Sequence, residues 1–211
     1  MGPASDEAFW DKIAAKYARD PIKDMAGYER SLERTRGLLG EGADVLELGC
    51  GTGTTALALA ASAGAYLATD FSARMIAIAQ EKAQATPLPG LRFRRATAEA
   101  LAAEGHAFDV VLAFNVLHLV RDLPATLGAV RALTKPGGLF VSKTGCVGEM
   151  SPLLRLAIPP MRLVGLAPHV AILDAPILQA AIAAAGFEIL ACERHATRGR
   201  DARPFIVARR T

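Results

Sequence analysis

Gly49, Gly51 and Gly53 follow a short apolar run, Val45-Leu46-Glu47-Leu48, and two carboxylates flank them in the chain. Residues without side chains let a backbone turn tightly and approach a ligand, and a helix starting just after them offers free N–H groups. Glu47 stands immediately before the glycines. Asp70 lies 21 positions beyond Gly49, at the end of the next apolar run. A carboxylate there can accept hydrogen bonds from both hydroxyls of a ribose. Glycine turn and ribose acid together describe a nucleoside-bearing ligand, and two details narrow its kind. The spacing is G-x-G-x-G, and Thr54 stands where a dinucleotide fingerprint carries its third glycine. A dinucleotide also directs its pyrophosphate at the helix start. Glu47 would repel that anion and suits a cationic amino acid instead.

S-adenosylmethionine (SAM) carries an ammonium, a sulfonium and no phosphate, so the local charges favour it. A nicotinamide-dependent oxidoreductase is the disfavoured alternative. The run VLELGCGTG resembles motif I of the class I SAM-dependent methyltransferases. Ala68-Thr69-Asp70-Phe71-Ser72 with Met75 resembles the motif that follows it. Ala96-Thr97-Ala98-Glu99 resembles the family's adenine-contacting loop, and Phe108-Asp109 through Asn115-Val116-Leu117-His118 its fourth-strand motif. Leu133-Thr134-Lys135-Pro136-Gly137-Gly138 resembles the turn before the fifth strand.

The resemblance implies a cofactor site. Glu47 would face the methionine end; Gly49, Cys50, Gly51 and Gly53 would wrap the cofactor; Asp70 would take the ribose. Phe71 and Met75 would pack near the adenine, with Thr97, Ala98 and Glu99 beside it, and Asn115 would contact the methionine portion through its backbone. Members often carry an acid before the alanine of the adenine loop, where this chain has Thr97. A hydroxyl still accepts a hydrogen bond, and the Ala98 N–H can serve as well.

His118 is the candidate general base, since a neutral imidazole past the fourth strand can take a proton from an acceptor hydroxyl or amine. Its other role is a packed residue beside the cofactor. Tyr17 and Tyr28 fall on helical patterns that would cover the crevice, where each either bonds the cofactor or packs. Lys143 ends the fifth strand and reads as a solvated rim lysine. No N-P-P-Y or D-P-P-Y run follows the fourth strand, which removes the motif of amino-methylating adenine and glutamine enzymes. Transfer from a sulfonium needs in-line alignment and exclusion of water, and a base only where the acceptor must lose a proton.

These residues must be held by an alternation of strands and helices from Asp44 onward. The expected architecture is a doubly wound α/β sheet, mostly parallel and seven-stranded with the last strand antiparallel, and helices on both faces. Phe108 to Phe114 reads as a strand buried on both faces. Residues 1–40 read as an N-terminal helical cap on a domain of residues 41–211. Phe187–Arg194 and Phe205–Arg209 read as a closing hairpin at the sheet edge, with the arginines near 198–203 solvated.

An insertion at 146–174 is strongly apolar (Met150, Leu153, Leu154, Leu156, Met161, Leu163, Val164, Leu166) yet carries Arg155, Arg162 and Gly165. Pro159-Pro160 is expected to split it into two short pieces that form a lid. It points to a small, apolar, even lipophilic acceptor. A subunit interface (a homodimer) or a peripheral membrane contact are the other uses of such a segment, and a SAM-binding or membrane-surface module without transfer activity is the second functional reading.

Composition excludes other classes. Of 211 residues 52% are hydrophobic and the net charge is only +3, which suits a packed domain and disfavours nucleic acid as acceptor. Cys50, Cys146 and Cys192 are too far apart for a zinc or redox pair, so no metal and a cytoplasmic protein are expected.

Overall fold

The computed structural model describes residues 3–85, 87–163 and 167–211. Two helices come first, α1 (Pro3–Arg19) and α2 (Met25–Arg36). There follow β1 (Asp44–Leu48), α3 (Thr54–Leu59), β2 (Ala65–Asp70), α4 (Ala73–Ala85), β3 (Leu91–Arg95), α5 (Ala98–Ala102), β4 (Phe108–Phe114), α6 (Leu123–Leu133) and β5 (Thr134–Lys143). The chain ends with α7 (Pro152–Leu163), α8 (Ala175–Ala184), β6 (Phe187–Glu193) and β7 (Phe205–Arg210).

The sheet order is β3-β2-β1-β4-β5-β7-β6. Strands β1 to β5 pair in parallel, and β7 runs antiparallel to both its neighbours. This is the expected mixed seven-stranded sheet. Strand order reverses between β1 and β4, so a crevice opens beyond their carboxyl ends, where open α/β sheets bind ligands. Four of the helices begin on a capping residue. Asp24, Asp122 and Asp174 cap α2, α6 and α8 by accepting backbone N–H bonds, and Thr97 does so for α5.

Two apolar layers hold the sheet. Leu46, Val111, Leu127, Phe140 and Leu178 fill one face, while Val45, Leu59, Tyr66, Leu112 and Phe205 fill the other. Burying one such side chain contributes about 1.5–3 kcal/mol. A small third cluster, Met75 and Ile78 against Ala14, with Trp10 alongside, seats α1 on α4. Asp11 reinforces that seat by accepting the Ser72 hydroxyl at 2.5 Å and the Arg74 N–H at 3.1 Å.

Two expectations are corrected. The closing hairpin lies at the sheet edge, but only β6 is an edge strand: β7 is interior, flanked by β5 and β6, with Phe205 to Ala208 all buried. The register requires this, because β7 pairs Leu139–Lys143 on one side and β6 on the other. In the 146–174 segment, α7 runs as one helix through Pro159 and Pro160 rather than as two pieces. The prolines remove two backbone donors without ending it. Residues 164–166 and the side chains of Leu154, Arg155, Arg162 and Leu163 lie outside the described residues. Among the described residues no helix is long and apolar enough to cross a membrane.

Candidate active site

The loop after β1 is shaped by its glycines. Gly49 has φ +65°, and a Cβ on it would come within 2.6 Å of Val116. Gly53 has φ +76°, and a Cβ there would meet Phe93 and Ala79 at 2.8 and 2.9 Å. Any side chain would thus be strained and also collide. Gly49 keeps the loop against the turn after β4, and Gly53 keeps α3 against α4 and β3.

Asp70, at the tip of β2, is 8% exposed and holds this loop. Its Oδ2 accepts the Gly51 N–H at 3.0 Å and its Oδ1 accepts the Ser72 N–H at 2.9 Å. Burial raises its pKa, and those two donors pull it back. Remaining lone pairs on both oxygens stay available to a ribose. Glu47 is 2% exposed and accepts the Tyr66 hydroxyl at 2.8 Å. Burial pushes its carboxyl up to about 7 against the pull of that bond. A buried carboxyl of this kind gains from a cation brought beside it.

Two chambers open here. The first, of about 390 Å³, is lined by Asp70, Phe71, Met75, Thr97, Ala98 and Glu99, with Trp10 closing it from α1. The second, of about 940 Å³, is lined by Glu47, Cys50, Tyr28, Ser31, Lys143, Met150 and the 196–203 loop. Tyr17, Gly49, Gly51, Phe114 and Asn115 line both. The residues singled out for adenine and ribose therefore lie in one chamber, and those for the methionine end in the other or at the junction. Gly53 lines neither and serves packing.

At the junction, Asn115 has φ +57°, the one positive φ outside glycine among the described residues, and its N–H donates to Lys143 O at 2.7 Å. Asparagine tolerates that region better than other residues with a side chain. Thr97, in place of the family's acid, uses its hydroxyl to cap α5, accepting the Ala100 N–H at 3.2 Å. Tyr28 bonds Thr55 at 3.1 Å across the second chamber's wall.

His118 sits on a 3-10 turn, Leu117–Leu119, and lines neither chamber. Burial, with Arg203 nearby, pushes its pKa down to about 4, and its buried Nδ1 has no hydrogen-bond partner among the described residues. The structure does not bring it to the junction. What the sequence reading overlooked is the second chamber's polar wall. The loop carrying Asp201 and Arg203 lines it together with Ser31 and Lys143, and His195, buried beside Phe205, stands behind Ser31. The cluster of C-terminal arginines was the available signal.

These residues fit the adenosyl cofactor their motifs resemble: a glycine loop whose Gly49 and Gly51 line both chambers, a buried acid with spare lone pairs, and a buried carboxyl suited to an ammonium. Comparison with known proteins agrees. Residues 45–138 match the family model described as a methyltransferase domain. A ubiquinone biosynthesis O-methyltransferase of Cereibacter sphaeroides is 35% identical over 144 residues, 68% of this chain and 53% of that protein. One of Brucella ovis is 35% identical over 134 residues, 64% of this chain and 48% of that protein. The chain thus spans about half the length of these relatives.

Among solved structures, magnesium protoporphyrin IX methyltransferase from Synechocystis PCC 6803 with bound SAM superposes with TM-score 0.66 at 18% identity, covering 97% of this chain and 90% of that one. The [4+2]-cyclase SpnF gives TM-score 0.70 at 21% identity, covering 86% and 80%. These distant likenesses speak for the fold alone. With the motif segment matching the family model and the sheet order closing around it, the chain has the fold and the cofactor motifs of the class I SAM-dependent methyltransferases.

Proposed function

We propose that the chain transfers a methyl group from SAM to an oxygen of a small molecule held in the second chamber. One observation carries the reading. The adenosine-type chamber and the larger one share the walls formed by Gly49, Gly51, Phe114 and Asn115, so two ligands can meet there end to end. Oxygen as the accepting atom is supported by the relatives named as O-methyltransferases.

When bound, SAM supplies a methyl group already activated on a sulfonium. The chain's own residues have modest tasks. Asp70 accepts the ribose hydroxyls, Glu47 takes the ammonium, and Phe71 and Met75 flank the base. Alignment of this sort is worth up to about 7–11 kcal/mol. Residues 1–40 act as a cap, since Trp10 and Tyr17 of α1 stand on chamber walls. The 146–174 segment acts as a lid, supported by Met150 on the second chamber and Pro168 on the first. Leu153 and Leu156 face outward, 77% and 74% exposed, and take no part in it. Free Cys50, Cys146 and Cys192 agree with a cytoplasmic location.

Thermal unfolding with SAM, S-adenosylhomocysteine and NADH tests the cofactor step. At about 100 times its dissociation constant a ligand adds roughly 2.7 kcal/mol. Both adenosyl compounds should raise the midpoint and NADH should not. Release of S-adenosylhomocysteine in the presence of small hydroxylated acceptors then tests transfer. A shift with NADH alone, or with nothing, would sink the reading.

A further inference from the structure

We infer that the second chamber binds its acceptor as an oxyanion, a phenol held as phenolate against the ammonium of Lys143. The inference rests on the methyl-transfer reading above. Lys143 ends β5 beside the junction of the chambers. It pairs in register with Phe114, and its carbonyl accepts the Asn115 N–H at 2.7 Å. Its Nζ donates to Ser31 Oγ at 2.6 Å and to Gly27 O at 3.4 Å. Both are neutral oxygens, and among the described residues no carboxylate pairs with Nζ within 4.0 Å. One N–H of the ammonium is left for a ligand.

The charged groups around Lys143 explain why an anion belongs there. Asp24 and Asp201 act on it only through space. Asp24 is occupied by the Gly27 N–H and by the N–H and hydroxyl of Thr197. Asp201 accepts the N–H groups of His195, Ala196 and Arg203. Arg203 adds a second positive charge from the same loop. Lys143 is therefore a half-buried cation with neutral contacts, and burial pushes its pKa down. An anion at its remaining N–H offsets that cost.

A chain of hydrogen bonds fixes the ammonium in place. Arg34 pairs with Glu193 at 2.9 Å, keeping that carboxylate ionised. Glu193 then bonds His195 Nε2 at 2.9 Å, which sets Nδ1 of the same ring against Ser31 Oγ at 3.0 Å. The Ser31 proton goes to Nδ1 or to Gly27 O, and its lone pairs face Lys143 either way. Tyr17, Tyr28 and Phe114 on the chamber walls suit a flat ring.

In this arrangement the acceptor's hydroxyl proton leaves to solvent on binding, and Lys143 stays an ammonium throughout. The phenolate oxygen's lone pair forms the new C–O bond as the S–C bond breaks, and that bond's electrons return to sulfur.

The test uses the full chain saturated with S-adenosylhomocysteine and 4-nitrophenol as probe, because only its phenolate absorbs visible light. At one pH unit below its free midpoint about a tenth of the unbound probe is ionised. Bound probe should be about half phenolate there, its midpoint lowered by about one unit. Lys143→Met should return the midpoint to its free value, and Lys143→Arg should keep the shift. If Lys143→Met does not fold, Ser31→Ala is read instead, with a partial loss expected.

Four results would overturn the inference: no probe binding, probe bound as the neutral phenol, an unchanged spectrum in Lys143→Met (or in Ser31→Ala where that is read instead), or loss of S-adenosylhomocysteine affinity in Lys143→Met. The last would assign Lys143 to the cofactor's carboxylate. Failure of the methyl-transfer reading looks different, since S-adenosylhomocysteine then gives no thermal shift in the unaltered chain.

Discussion

The two chambers are built in opposite ways. The first draws its key groups from consecutive strand ends and the loops after them, Gly49 to Glu99, where each motif lies a few residues from a strand. The second is assembled from Ser31 on α2, Lys143 on β5 and the 195–203 loop, segments more than a hundred positions apart in places. A local backbone device fixes the one, and long-range side-chain bonds fix the other. Cofactor recognition can therefore stay constant in such a fold while the acceptor wall is free to vary, which agrees with one fold hosting several activities.

The most damaging change should strike the local device. Asp70→Ala removes the acceptor for the Gly51 and Ser72 N–H groups and for a ribose together. Hydrogen bonds to a charged group are worth about 1.5–3 kcal/mol, so SAM affinity should fall on the order of 100-fold. Isothermal titration measures it. Affinity within a factor of three of the original would mean the first chamber is not the adenosine site.

Glu47 joins the two chambers' chemistry and carries a pH signature. Its carboxyl is held at about 7, above its ordinary 4.5, so between those values the folded chain binds the proton and the unfolded chain has lost it. Stability of the unliganded protein should therefore fall as pH rises through this window, by up to about 1.4 kcal/mol per unit. SAM affinity should rise over the same window, up to about tenfold per unit, as the ionised carboxyl meets the ammonium. Glu47→Gln should flatten both trends, make the unliganded protein more stable at pH 7, and weaken SAM. A wild-type melting midpoint that rises from pH 5 to 7 by this group's effect would contradict the assignment.

The same contrast explains what the sequence made legible. Glycines at 49, 51 and 53, Glu47 and Asp70 act through the backbone of their own strand ends, so spacing alone located them. Lys143 looked like a rim lysine because nothing near it in sequence announces Ser31 or His195. The arginines of residues 198–203 read as solvated and are exposed, whereas β7's interior place depends on pairing with β5, which no local pattern encodes. Helix α5, five residues long, is too short for periodicity to show, and α7 keeps its course through two prolines. His118 was singled out for following β4, but its turn aims the ring at Gly145 instead of the junction.

A smaller effect would sharpen the claim that the first chamber is locally determined. Thr97 caps α5 where relatives often carry an acid. Asp caps helices as well as Thr does, so Thr97→Asp should leave stability within about 0.5 kcal/mol. If the carboxylate also reaches the adenine, SAM affinity should rise severalfold, the worth of about one more hydrogen bond. Titration of the single variant decides it, and weaker binding would show that this position is closed to an acid here.

The smallest effect is expected on α7, where the lid reading divides inner from outer residues. Leu156 stands 74% exposed, so Leu156→Ser should change stability by less than about 0.5 kcal/mol and leave turnover alone. Met150, on the second chamber's wall, should behave otherwise. Its truncation to Ala ought to raise the acceptor's KM severalfold while the affinity for S-adenosylhomocysteine holds, because it touches the acceptor side only. If Leu156→Ser instead slows turnover as much as Met150→Ala does, the outer face of α7 is engaged during the reaction. The segment would then work by contact with something outside the chain, and closing the chamber would not be its task.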